Sequence, residues 1–180
     1  MRYFLIAWLV FLGMGCSVNT RQPALHDFGR VESTPAHQDK ASVNVNAPTW
    51  LWDNRIRYRL LYSSPSQIRF YGLDRWIASP PELFEQLLAL KSAVRDYALL
   101  IRLQDFEQQF DAPDRARVVL RFSVEAYSDK NQKVDTQEFY LQQATKTPDA
   151  AGAINGFTDL AHEANEKVVA WVKGLSDRQQ

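Results

Sequence analysis

Cys16 is the only cysteine of the chain and the residue whose surroundings most clearly indicate chemistry. It follows Met1-Arg2, the apolar run of residues 3–12, and the small residues Gly13 and Gly15. This order is typical of a bacterial lipoprotein signal, in which the cysteine thiol is the nucleophile that accepts a diacylglycerol. Because a membrane-spanning helix needs roughly 20 apolar residues, the shorter run predicts an export signal and not a transmembrane helix.

This interpretation predicts a signal peptide at residues 1–15 and a lipidated Cys16 with a polar tether at residues 16–24. The mature chain would then be held at a membrane by its lipid and would not span it. Ser17 favours the outer membrane, because aspartate at this position is the familiar retention signal for the inner membrane. Gly13 occupies the position where leucine is usual, and the alternative is a plain secretory signal with an incidental cysteine. Cleavage at Cys16 would leave no second thiol, which excludes disulfides and thiol catalysis.

Four carboxylates gather around one predicted hairpin: Asp105, Glu107, Asp111 and Asp114. Paired carboxylates can act as general acid and base when burial separates their pKa values. The alternative, which we favour, is that Asp111 and Asp114 shape the turn while the other two occupy exposed strand positions. We therefore predict no catalytic residue here.

The three histidines, His26, His37 and His162, are scattered along the sequence. His162 and Glu166 have the i,i+4 spacing of a metal-ligand pair on a helix, but a solvated helix face is the commoner cause of such spacing. No glycine-rich phosphate loop and no nucleophile elbow can be found. The sequence thus predicts neither a metal site nor a cofactor.

Arginine alternates with aromatic residues between positions 55 and 76, a composition that protein interfaces favour. We predict that this segment forms a surface for lipid phosphates or for an acidic partner, and its candidate residues are Arg57, Arg59, Tyr71, Arg75 and Trp76. The alternative is ordinary strand alternation with solvated arginines. Over the whole chain, 21 basic residues balance 21 acidic ones, so there is no electrostatic case for nucleic-acid binding.

A single domain at residues 25–175 is predicted to position these residues. Period-two alternation indicates strands at residues 56–62, 67–71, 97–108, 117–127 and 134–142, and shorter ones at 26–29 and 41–45. The order is strand, hairpin, helix, three-strand meander, helix. This order predicts a two-layer α+β domain with an antiparallel or mixed sheet and both helices on one face.

Both predicted helices have a recognisable start. Ser79 with Glu82 matches a capping box, and Thr147-Pro148-Asp149 predicts a second helix with proline at its first position. That helix is expected to run to residue 175, followed by a frayed end at residues 176–180. Gly156 lies within it, which suggests close packing against the sheet.

Several segments together resemble one family of bacterial envelope proteins. They include Pro48-Thr49-Trp50-Leu51, Ile56-Arg57-Tyr58-Arg59, Pro80-Pro81-Glu82-Leu83, Asp105-Phe106-Glu107-Gln108 and Phe110-Asp111-Ala112-Pro113-Asp114. On these segments the chain resembles the ABC-type transport auxiliary lipoproteins, a family that includes the paraquat-inducible protein C lipoproteins. The resemblance extends from about His26 to the last helix. The motif residues Trp50, Tyr58, Trp76 and Phe110 would equally serve to build a core.

The resemblance implies a periplasmic, lipid-anchored and non-enzymatic protein. It would work with an ABC transporter of the inner membrane and an MCE-type substrate-binding protein to move phospholipid or another lipid between the membranes of a Gram-negative envelope. A homo-oligomer is compatible with this role. Two other hypotheses stay open at this point: an envelope hydrolase or lipid-modifying enzyme that uses the carboxylates near Asp111, and a purely structural envelope lipoprotein.

Overall fold

The computed structural model describes residues 21–29, 43–89 and 97–178. The predicted signal peptide at 1–15, the lipidation site Cys16 and most of the tether at 16–24 lie outside the described residues, as does His37. Within the described ranges, no helix combines the length and the apolar character that crossing a membrane would require.

The described residues form seven strands, two α-helices and a short 3-10 helix at Thr49–Leu51. The strands are β1 (Ala24–His26), β2 (Val43–Asn46), β3 (Arg55–Leu60), β4 (Ser64–Trp76), β5 (Ala98–Ala112), β6 (Arg115–Tyr127) and β7 (Lys133–Ala144). The helices are α1 (Pro80–Ala89) and α2 (Ala150–Asp177). All seven strands join one mixed sheet, which confirms the predicted α+β class with a sheet covered by two helices.

The strand order in the sheet is β1-β4-β3-β5-β6-β7, with β2 paired to β5. The predicted hairpin, β3 with β4, and the predicted meander, β5 to β7, are both antiparallel. Three parallel pairings assemble the rest: β1 with β4, β2 with β5 and β3 with β5. β2 and β3 follow one another along the same edge of β5, since β2 pairs with residues 99–102 and β3 with residues 108–110.

Strand β4 is much longer than the segment 67–71 predicted for it. Gly72, Leu73 and Asp74 interrupt the alternating pattern, but the strand continues beyond them because residues 74–76 pair with β1 and Arg75 also pairs with β3. The register shifts between Arg55 and Arg57, which marks a bulge that absorbs the extra residues.

Helix α1 begins as its capping box predicts. The backbone N–H of Ser79 donates to the Glu82 carboxylate at 2.8 Å, and the Ser79 hydroxyl donates to the same oxygen at 2.6 Å. These hydrogen bonds lower the pKa of Glu82. One free backbone donor before the first helical turn is thereby satisfied.

Helix α2 differs from the prediction at both ends. Its N-cap is Asp149, whose carboxylate accepts from the N–H of Gly152 at 2.8 Å, so Pro148 precedes the cap and does not occupy the first helical position. At the other end the helix continues through Asp177. Residues 176 and 177, predicted to fray, are therefore helical.

The core lies between the sheet and the two helices. Phe157 of α2 stacks on Phe106 of β5 with ring centroids 4.0 Å apart, and Phe84 of α1 packs edge-on against Phe122 of β6 at 5.2 Å. Both contacts are made on the same face of the sheet, as predicted. The expected close approach of Gly156 is confirmed, because a Cβ atom there would lie 2.7 Å from Cγ2 of Val118.

Candidate arginine-rich sheet face

The sheet surface opposite the helices, called the open face here, is lined by arginine. Along β3, Ile56 is fully buried towards the helices, so Arg55, Arg57 and Arg59 point the other way. The same alternation applies to Arg75 beside the buried Trp76. Seven strand arginines outside the hairpin turns lie on this face: Arg55, Arg57, Arg59, Arg75, Arg102, Arg117 and Arg121.

Arg59 and Glu107 form the most buried ion pair of the open face. The Arg59 Nε and Nη2 atoms donate to Oε1 and Oε2 of Glu107 at 2.9 and 3.1 Å, and Gln109 Nε2 donates to Oε1 at 2.9 Å. Glu107 is only 6% exposed. The expectation that Glu107 occupies an exposed strand position is therefore wrong, because a guanidinium partner from β3 compensates its burial.

Four further arginines of this face are paired with a carboxylate of their own. Their partners are Asp53 for Arg55, Asp105 for Arg121 at 2.7 Å, Asp111 for Arg117, and Glu125 for Arg102 at 3.8 Å. The hydrogen bonds from Arg55 lower the pKa of Asp53, and the Arg55 guanidinium also lies 3.8 Å above the Phe70 ring. Three of the four carboxylates considered as catalytic candidates, Asp105, Glu107 and Asp111, are thus already engaged by arginine.

Arg57 and Arg75 differ from the other five arginines. Within the described ranges neither lies within salt-bridge distance of a carboxylate. Each has a buried Nε atom without a hydrogen-bond partner there; Arg117 has one too, but its guanidinium is paired with Asp111. Nη1 of Arg57 donates to the backbone carbonyl of Trp50 at 3.4 Å. Burial lowers the pKa of Arg57, an effect that the charge of Glu107 opposes.

Two predicted surface residues belong to the other side of the sheet. Trp76 is 1% exposed and packs against Phe28, Phe106 and Phe157, so its assignment to a contact surface is wrong. The Tyr71 hydroxyl donates to Oε1 of the fully buried Gln108 at 2.5 Å, and burial raises the pKa of Tyr71. The structure therefore groups Arg57, Arg59 and Arg75 but not Tyr71 and Trp76.

Two residues with exposed apolar side chains neighbour the unpaired arginines. Trp50 is 61% exposed, and its carbonyl oxygen accepts the hydrogen bond from Arg57. Leu25 is 60% exposed and lies directly opposite Arg75 in the β1–β4 register. The expectation that Trp50 builds the core is wrong, because in the short 3-10 turn Leu51 is the residue that points inward. Nothing in the local sequence of Leu25 indicates its neighbour Arg75.

The two described histidines make structural contacts. His162 Nε2 lies 2.9 Å from the backbone carbonyl oxygen of Phe28, and His26 Nε2 lies 2.9 Å from Oδ1 of Asp74. In the part of the chain that the structure describes, no three histidine, cysteine or acidic side chains come together as metal ligands would. The His162–Glu166 spacing therefore has no third ligand among these residues.

A groove of about 310 Å³ follows β1 on the outer edge of the sheet. Its lining residues are Leu25, His26, Asp27, Gly29, Ile77 and Thr158. Leu25 belongs both to this groove and to the surroundings of Arg75, so the edge of the sheet at β1 combines apolar and basic character.

Comparisons with known proteins bear on the fold. Neither a protein-family model nor a curated protein matches the chain. Protein XCC0632 from Xanthomonas campestris, of family DUF330, superimposes with a TM-score of 0.70 at 17% identity, covering 87% of this chain and all of its own. A crystal structure of an uncharacterized protein superimposes with a TM-score of 0.61 at 11% identity, covering 84% of this chain and 99% of its own. At these identities the likeness establishes a shared fold.

Proposed function

We propose that this protein is a non-enzymatic, lipid-anchored component of an ABC/MCE-type lipid-transport system, located at the periplasmic face of the outer membrane. Its partners would be an MCE-type substrate-binding protein and, through it, an ABC transporter of the inner membrane. It acts by surface contact, and the lipid on Cys16 holds it at the membrane.

The observation that carries this proposal is the open face itself. A broad sheet surface is left uncovered by α1 and α2, and arginines from β3, β4, β5 and β6 line it. Arginine is enriched in interfaces because its planar guanidinium binds carboxylates and phosphates with two hydrogen bonds. Since the nearby carboxylates are engaged in ion pairs, this face is better suited to binding than to proton transfer.

The residues on which the family resemblance depends also meet in space. Arg59 of the Ile56-to-Arg59 segment is paired with Glu107 of the Asp105-to-Gln108 segment, although 48 positions separate them in sequence. In the β3–β5 register, Tyr58 of the first segment is the partner of Gln108 of the second. Two sequence segments that contact each other in the fold are expected to be found together in members of one family. The contact between these two segments therefore supports the family resemblance.

The proposed anchor is compatible with the place where the described domain begins. Ala24 starts β1 at the edge of the sheet. A lipid on Cys16 would be joined to it by seven residues, which span at most roughly 25 Å when extended. The open face would therefore lie close to the membrane that holds the lipid.

The proposal is tested by photo-crosslinking in cells. A photoreactive residue at Tyr140, which is 56% exposed and lies opposite Arg121 on the open face, is compared with one at Lys173, an exposed position of α2. Adducts with an MCE-type protein or with lipid from position 140 but not from 173 support the proposal. Absence of both adducts at normal protein levels, or equal adducts from both positions, overturns it in favour of a structural envelope protein.

The anchor is tested separately by membrane fractionation. Cys16→Ser is expected to increase the apparent size of the protein and to remove it from the outer-membrane fraction, because neither lipid attachment nor cleavage at this site can then occur and the apolar run of residues 3–12 stays attached. A protein that stays membrane-bound at an unchanged size would contradict the lipid anchor.

A further inference from the structure

We propose that Arg57 and Arg75 form a binding site for the phosphodiester group of a phospholipid. The site deepens the proposed function, on which it rests for the presence of lipid as the ligand. The arginines that form one cluster in the sequence thus have separate roles. Arg59 stabilises the sheet, while Arg57 and Arg75 bind the ligand.

The backbone register brings the two arginines together. Arg75 is the direct partner of Arg55 across β3 and β4, and Arg57 lies two positions along β3 on the same face. A bulge of β4 separates their positions on the ladder, because the register shifts between Arg55 and Arg57 and Phe70 is the partner of Arg57. The two long side chains therefore lie on the same face on either side of Arg55, from where both can reach towards one oxyanion. Asp53 interacts mainly with Arg55, whose hydrogen bonds lower the pKa of Asp53, and the charge of Arg75 adds a smaller contribution in the same direction.

Asp53 is not itself the partner of either arginine. One of its carboxylate oxygens, Oδ1, accepts from the backbone N–H of Arg55 at 2.9 Å, and Oδ2 accepts from Nε of Arg55 at 2.7 Å. Both oxygens are thus used by Arg55. The positive charges of Arg57 and Arg75 are left partly buried without an ion-pair partner among the described residues.

A partly buried guanidinium without a counter-charge is costly, and an oxyanion that binds it removes this cost. Phosphate oxygens suit the guanidinium especially well, because two parallel N–H groups can donate to two oxygens. A phosphodiester has two free oxygens and one negative charge, so two arginines on one face can each donate to one such group.

The apolar neighbours favour a lipid over free phosphate. Arg57 contacts the backbone carbonyl of Trp50 and Arg75 is the register partner of Leu25, and the side chains of Trp50 and Leu25 are 61% and 60% exposed. An amphipathic ligand would cover both side chains while its phosphate contacts the guanidinium groups. Inorganic phosphate would leave them exposed to water.

Isothermal titration of the purified full chain with dihexanoyl-phosphatidylglycerol, kept below its critical micelle concentration, tests the site. The double variant Arg57→Gln/Arg75→Gln is expected to bind at least tenfold more weakly than the wild type. The matched control is Arg102→Gln/Arg121→Gln, which removes the same charge from the same face and should change the affinity less than threefold. Equal losses in both doubles, or no binding by the wild type, overturn the proposal.

Titration with inorganic phosphate identifies the source of the oxyanion. Binding of the lipid at least tenfold tighter than phosphate supports a phospholipid site, whereas equal affinities overturn it in favour of a free-phosphate site.

A chemical-protection measurement on the wild type avoids any dependence on folding of the variants. The short-chain lipid should protect Arg57 and Arg75, but not Arg102 and Arg121, from phenylglyoxal modification detected by mass spectrometry, and protection of neither would contradict the site.

These results can be separated from those of the proposed function. Adducts with an MCE-type protein in cells together with no lipid binding in vitro would reject this site and leave the transport role standing. Specific lipid binding through Arg57 and Arg75 in vitro, together with neither an MCE-type adduct nor a lipid adduct in cells, would keep this site and reject the transport role.

Discussion

Arg59 and Glu107 join the two halves of the sheet through two side-chain hydrogen bonds, 2.9 and 3.1 Å long. Arg59 belongs to the β3–β4 hairpin and Glu107 to the β5–β7 meander, and their strands pair in parallel at only three positions. The ion pair therefore lies at the short parallel junction between two antiparallel units. Its partial burial makes it structural, while its neighbours on the open face stay accessible.

Removing one member of this pair should destabilise the fold. Glu107→Gln leaves the partly buried Arg59 without its counter-charge, so the free energy of unfolding is expected to fall by about 2–3 kcal/mol. The matched control is Glu163→Gln in the exposed Glu163–Lys167 pair of α2, where about 0.5 kcal/mol or less is expected. Urea unfolding measures the free energy of unfolding of both variants. Equal losses would show that the buried Arg59–Glu107 pair stabilises the protein no more than an exposed ion pair does.

The close approach of α2 to β6 predicts opposite effects for two glycines of the same helix. Gly156→Ala would place a methyl group 2.7 Å from Val118, a rigid and fully buried residue, so we expect a loss of about 1–2 kcal/mol despite the better helix propensity of alanine. Gly174→Ala meets no atom within 4 Å and should stabilise the protein by about 0.5–1 kcal/mol. Thermal unfolding monitored by circular dichroism distinguishes them; stabilisation by both substitutions would refute the tight contact.

The N-cap of α2 predicts a pH dependence. The Thr147 hydroxyl and then the N–H of Gly152 donate to the Asp149 carboxylate and lower its pKa. Because the folded-state pKa is the lower one, the carboxylate stabilises the protein above the unfolded pKa of about 3.9, and this contribution disappears as the pH falls through the folded-state pKa.

Asp149→Ala is therefore expected to cost about 1 kcal/mol at neutral pH and progressively less below about pH 4. Asp149→Asn keeps a capping acceptor that does not titrate, and its stability relative to Asp149→Ala should vary little over the same range. Urea midpoints collected as a function of pH provide the measurement. A constant difference between wild type and Asp149→Ala down to acidic pH would contradict the cap.

The two tryptophans singled out for the core should behave in opposite ways. Trp76→Ala removes a ring that contacts Phe28, Phe106 and Phe157, and about 3–5 kcal/mol of stability should be lost. Trp50→Ala removes an exposed side chain and should change stability by no more than about 0.5 kcal/mol. Iodide should quench less fluorescence in the Trp50→Ala protein than in the wild type, and unchanged quenching would mean that Trp50 is shielded from solvent.

The sequence by itself determined what depends on neighbours along the chain. The strict alternation around Val118 to Ala126 specifies a strand with one apolar face, because side chains of a strand alternate between its two sides. The capping box of Ser79 and Glu82 likewise needs no distant partner. The hairpin, the meander and both helices could be predicted for this reason. The lipidation of Cys16 was inferred from its neighbours along the chain in the same way, and it stays a prediction.

Only the tertiary structure decided which of these local units meet. The parallel pairings that place Leu25 opposite Arg75 and β3 beside β5 depend on contacts between residues 48 or more positions apart, for which a local pattern holds no information. Burial follows from the same contacts: Trp76 lies under α2 while Trp50 faces solvent. Arginines that look equivalent in the sequence differ in the fold. Four of them pair with carboxylates on neighbouring strands and Arg55 pairs with Asp53, two residues earlier, whereas Arg57 and Arg75 have no ion-pair partner among the described residues.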